Sequence, residues 1–138
     1  MFQSIAINEA FGWVWFVFGM GTGAALGMGF ARESFLGGYG SWERRLLRLG
    51  HISFFGLGLI NILFAYSAPR TDLATPWISV ASWSLIIGGI TMPTCCALAA
   101  WRKRTKPLFV IPVVSLLIGA LITAWGLVRA AVSQGVQP

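Results

Sequence analysis

The stretch Leu46–Ser67 reads LLRLGHISFFGLGLINILFAYS. It is apolar along nearly its whole length, and it stops just before Pro69. The hydrocarbon core of a bilayer is about 30 Å thick, and a helix of roughly 20 mostly apolar residues crosses it. The apolar run is continuous rather than alternating, which argues against a membrane strand. The stretch therefore predicts a transmembrane helix.

Three further runs read the same way. One extends from about Ala10 to Phe30, with Asn8 as a plausible cap. Another extends from Pro76 to Trp101, where Thr75-Pro76 reads as an N-cap followed by proline at the first helical position. The last extends from about Leu108 to Val128. Composition agrees: of 138 residues, 57% are hydrophobic and 10% charged, with a mean hydropathy of +0.76. Soluble domains carry about a quarter charged residues, so lipid is the natural solvent for this chain. The length suits a single domain over residues 1–138. Met1–Glu9 has no Lys or Arg, so a cleavable signal is not expected and the first run should stay as a span.

Charge sets the direction. Arg32, Arg44, Arg45 and Arg48 lie around the first connection, and Arg102, Lys103, Arg104 and Lys106 lie in the third. The other side has only Arg70 and Arg129. The positive-inside rule makes the basic side cytoplasmic. The expected fold is an all-α integral membrane protein, a four-helix antiparallel bundle with both termini on the periplasmic (outer) side of a bacterial inner membrane. Trp13, Trp77 and Trp125 fall toward the outer ends, and Trp42 and Trp101 toward the inner ends, as an aromatic belt requires. The net charge of +6 is then a topology signal, helped by anionic lipid, and no nucleic acid is needed to explain it.

The first span carries Gly19, Gly23 and Gly27 at a four-residue spacing, with Gly21 and Gly29 beside them. Such ladders let helix backbones approach closely. The partner face is another helix of the bundle, a second copy of the chain, or a flat ligand. Gly88-Gly89 and Pro93 predict a weakened segment in the third span.

His51 is the sole histidine, and an ionisable group within a span is a functional candidate by default. At helical spacing Arg44, Arg48, His51, Phe55, Gly58, Ile62 and Ala65 share one stripe, with Asn61 at its edge. That order suits haem b standing edge-on in the membrane. His51 would ligate the iron, Phe55 and Gly58 would meet the ring, and Arg44 and Arg48 would meet the propionates. A second axial ligand could be Met28, at similar depth, or Met92, which is deeper. A second protomer's histidine or an open position are the other routes. The simpler reading leaves His51 hydrogen-bonded to Asn61, a hydroxyl or a carbonyl. The arginines are then only a topology signal and the glycine only a packing device.

Other activities lack their residues. A proton-coupled exporter needs a membrane-embedded carboxylate, and Glu9, Glu33, Glu43 and Asp72 all lie at ends or in loops. Cys95-Cys96 has no spacer and lies inside a span, so it suits neither thiol exchange nor zinc, and the pair reads as small packing residues. No nucleophile–base set can be assembled. Gly37-Gly38-Tyr39-Gly40 has no phosphate-loop context and reads as a chain reversal, with Ser41 as the following cap. Two functions remain: a haem-bearing electron carrier or gas sensor, and a cofactor-free subunit that packs into a homodimer or against other membrane subunits.

Overall fold

The computed structural model describes residues 2–135, with side chains from Ile5 onward. Four long helices make up almost all of it: α1 (Phe2–Phe30), α2 (Trp42–Ser67), α3 (Thr75–Trp101) and α4 (Val110–Gly135). All four are long and apolar enough to cross a membrane. Short 3-10 turns at Phe35–Gly37, Ala68–Arg70 and Lys103–Phe109 occupy the connections. Among the described residues there are no strands.

Several element ends differ from the sequence expectation, each for a physical reason. The first helix begins well before Ala10, so Asn8 is no cap. Its side chain is fully buried between helices and is used in tertiary hydrogen bonds. Ser41 does cap α2, its hydroxyl accepting from the Arg44 amide at 3.2 Å. The cap of α3 is Ala74 rather than Thr75, without a side-chain bond, and Pro76 sits in the first turn, where its missing N–H costs nothing. The turn before α2 contains Gly37 and Gly38 at φ 79° and 92°, values that a side chain rarely tolerates.

Each helix packs on the next one in sequence, and α2 and α3 are the most buried. The contacts across each seam run in opposite directions. Gly12, Gly19 and Gly23 of α1 meet Gly58, Phe55 and His51 of α2 in turn. Asn61 reaches the Leu85 carbonyl of α3, whereas Trp42 reaches that of Ala99. Leu85 packs on Gly119 of α4, and Cys95 Sγ faces the carbonyl of Leu108. The glycine ladder is thus the α1–α2 seam. A methyl group on Gly12 would come within 2.5 Å of the Gly58 carbonyl oxygen. Gly27 has open space around it and does not take part.

The well-packed core lies toward the Asn8 end, around Phe64, Ile78, Ala81 and Leu85. A buried polar clasp ties three helices there. Asn8 Nδ2 donates to Asn61 Oδ1 at 2.7 Å, Ser82 Oγ donates to Asn8 Oδ1, and Asn61 Nδ2 donates to the Leu57 carbonyl at 2.8 Å. No water competes at that depth, so these bonds both satisfy the amides and fix the register of the three helices.

Candidate functional site

The opposite half of the molecule is less full. Small residues line it, Pro93 and Ala97 on α3, Gly50 on α2 and Ala25 on α1. These small residues leave a groove of about 690 Å³ between α1, α2 and α3. That is the size of a site for one drug-sized or cofactor-sized molecule. Its walls are aromatic and aliphatic, with Trp15, Phe18 and Leu26 from α1, Leu47 and Phe54 from α2, and Ile90 from α3. Phe35 and Leu36 of the first connection and Trp101 close its end near the basic connections. Phe18, Ala25, Ile90 and Thr94 are exposed, so the groove opens sideways between α1 and α3.

One end of the groove is built by a proline. Pro93 has no N–H, so the carbonyl of Gly89 loses its helical partner. In lipid a bare carbonyl is costly. Trp15 Nε1 donates to it at 3.0 Å, which carries the indole across from α1 to α3. Helix α3 runs through Pro93 without interruption. Gly88 and Gly89, about one turn before Pro93, are contact sites for Leu116 and Phe11.

His51 stands on the groove wall, half-buried. Its ring lies against Gly23, where an added methyl would sit 2.7 Å from Cε1 and 3.3 Å from Nε2. Nδ1 is 3.2 Å from Thr22 Oγ1. The threonine has one hydrogen, and the carbonyls of Phe18 at 2.7 Å and Gly19 at 3.1 Å are both in reach of it. With that hydrogen on a carbonyl of its own helix, the oxygen accepts and Nδ1 donates. In the neutral ring this leaves the lone pair on Nε2. Among the described residues Nε2 has no hydrogen-bond partner. No buried side-chain nitrogen or oxygen among the described residues is without one, so Nε2 meets accessible space.

The stripe expected to hold a haem is only partly available. His51 lines the groove. Gly58 does not, because its open side is filled by the Gly12 carbonyl and the Phe16 ring of α1. Phe55 packs over Gly19 and beside Phe16, and its neighbour Phe54 faces the groove instead. Asn61 is fully buried in the polar clasp. Arg44 is buried, and its guanidinium donates to the carbonyls of Phe35, Arg32 and Glu33 while lying 5.0 Å from the Phe30 ring. It holds the first connection together and is not free for a propionate. Arg48 donates to the Arg44 and Tyr39 carbonyls and stacks on the Tyr39 ring at 4.8 Å. Neither Met28, which is 75% exposed, nor Met92 lines the groove. The physical reason is common to most of these residues: the face opposite the Arg44–Ala65 stripe is α1, packed through its glycines, and not a ligand.

Thr22, Trp15 and Phe54 were not picked out by sequence reasoning. Pro93 carried a usable signal for Trp15, since a freed carbonyl in a membrane helix requires a donor. Thr22 has no such signal beyond its place next to Gly23. Among the described residues no three His, Cys, Asp or Glu side chains gather to hold a metal ion, so a metal bound at His51 would have to bring its other ligands with it. Comparisons with protein-family models, with curated proteins and with solved structures gave no match for this chain.

Proposed function

We propose that this chain is a small integral protein of a bacterial inner membrane that binds b-type haem in the groove between α1, α2 and α3, with His51 Nε2 as axial ligand. Its helices form an antiparallel bundle with both termini outside, and the groove lies in the cytoplasmic leaflet. The observation that supports this reading is the state of His51: Nδ1 is committed to Thr22, Nε2 is unpartnered, and the ring stands on an aromatic groove of about 690 Å³. A porphyrin needs an apolar slot and an imidazole whose far nitrogen is oriented by a second hydrogen bond. When bound, haem would supply one-electron or gas-binding chemistry. The chain's own part is to orient the imidazole through Thr22, to cover the ring with Trp15, Phe18 and Phe54, and to exclude water.

The test is an absorption spectrum of protein purified in detergent from haem-replete cells. A Soret band is expected, and it is lost in His51→Ala while the variant still inserts in the membrane. Colourless wild-type protein that co-purifies with larger subunits would sink the haem reading and leave the cofactor-free subunit in its place.

A further inference from the structure

We infer that the groove takes a lipid-soluble quinol, a flat dihydroxy aromatic ring on an isoprenoid tail, with one hydroxyl donating to His51 Nε2. The inference does not rest on the haem reading, because a quinol would use the same lone pair in place of the iron.

Charge narrows the ligand first. No Asp, Glu, Lys or Arg lines the groove. Arg44 and Arg48 stand outside it and donate to carbonyls. A carboxylate or phosphate would be held there without a counter-charge, at high cost in an apolar slot. The ligand that fits is neutral. The way in narrows it further. Phe18 and Ala25 of α1 and Ile90 and Thr94 of α3 border the opening and are exposed, on helices long and apolar enough to cross a membrane. A molecule dissolved in the bilayer therefore enters sideways without crossing water. Its apolar tail can stay in the opening while its head lies inside.

The polar atoms on the walls set the head. Trp15 Nε1 donates to the Gly89 carbonyl, Thr94 to that of Ile90 at 2.7 Å, and Thr22 to carbonyls of its own helix. His51 Nδ1 is held by Thr22. Among the described residues this leaves two uncommitted side-chain positions. One is the acceptor His51 Nε2, and the other is the donor Trp101 Nε1, on a residue 66% exposed at the end near the basic connections. The complement is a ligand that both donates and accepts, as a hydroxyl does. The walls also select a shape. Trp15 lies 5.7 Å from Phe18 and 5.8 Å from Phe54 by ring centroids, and Phe18 lies 6.1 Å from Phe54. The three form one aromatic surface on which a flat ring stacks. A fatty alcohol or a sterol would reach the same acceptor but give up that stacking. A quinol joins the neutral hydroxyl, the flat ring and the lipid-soluble tail in one molecule.

The experiment is an anaerobic calorimetric titration of the purified protein in detergent with decyl-ubiquinol. Expected is saturation at one quinol per chain. Affinity should be about tenfold lower for the dimethyl ether of the same molecule and for the oxidised quinone, neither of which has a hydroxyl hydrogen to give. His51→Leu should lose the same factor and no longer separate quinol from ether. The ether and quinone arms use the unaltered protein, so they decide the matter even where the variant does not fold. Equal affinity for quinol, ether and quinone would overturn the inference. So would decanol or palmitate binding as tightly as the quinol, or a signal that never saturates. Haem is read apart, by its Soret band. A colourless preparation that binds quinol supports the inference and removes the haem reading. A haem-loaded preparation that binds none overturns the inference and leaves the haem reading intact.

Discussion

Thr22 decides what His51 can do. An imidazole with both nitrogens bonded to protein has no lone pair to offer, whereas one with Nδ1 held and Nε2 open keeps one, as the proposed role requires. The bond of 3.2 Å from Nδ1 to Thr22 Oγ1 supplies that hold. Thr22→Val keeps the shape and removes the acceptor. Haemin titration of this variant should show affinity reduced by about 10–100-fold, the usual cost of losing such an outer partner. Thr22→Ser should restore most of it. Unchanged affinity in Thr22→Val would show that the hydroxyl does not orient the ring. Arg44 and Asn61 teach the reverse lesson. Both are polar residues on or beside the histidine stripe, yet each is consumed by local carbonyls and amides. In a dry interior a polar group takes the nearest partner, and these were protein groups.

The Pro93–Trp15 pairing belongs to the scale of the helix. Proline leaves the Gly89 carbonyl unpaired, and the indole of a neighbouring helix satisfies it at 3.0 Å. The two residues should therefore be energetically coupled. Trp15→Phe alone should destabilise the protein by about 1 kcal/mol, within the range for hydrogen bonds between membrane helices. In a Pro93→Ala background, where residue 93 donates its own N–H to Gly89, the same change should cost much less. The measurement is a double-mutant cycle by reversible unfolding in mixed micelles. Additive effects would show that the indole bond does not depend on the carbonyl that Pro93 frees. The glycines of α1 work at the same scale. Gly12, Gly19 and Gly23 admit Gly58, Phe55 and His51, and so the ladder brings the imidazole to its place without being part of the site.

The whole molecule is asymmetric from end to end. One half is packed around Phe64, Ile78 and Leu85 and clasped by Asn8, Asn61 and Ser82. The other half contains the groove and adjoins Arg32 of the first connection, Arg44 and Arg45 at the start of α2, and Lys103, Arg104 and Lys106 of the third connection. The basic connections should face the cytoplasm. Alkaline phosphatase fused after the last residue should accordingly be active, and a fusion within the Lys103–Lys106 connection inactive. The opposite pattern would reverse the proposed orientation and move the groove to the outer leaflet.

Four helices long and apolar enough to cross a membrane, their approximate limits and the uneven charge of their connections were all legible in residues such as Leu46–Ser67, Pro76 and Arg102–Lys106. They are local properties: length, hydropathy and charge act through each segment's own contact with solvent or lipid. His51 was legible as a candidate for the same reason. Which residues surround it was not. The helical period places Phe55 and Gly58 beside His51, but it does not say which flank a neighbouring helix will cover. That was decided by α1, whose glycines let it press on the Gly58 side. It was also decided by the small residues Ala25, Pro93 and Ala97, which leave the other side unfilled. Close packing between helices is a property of two surfaces at once, and so only the tertiary structure could separate the seam from the groove.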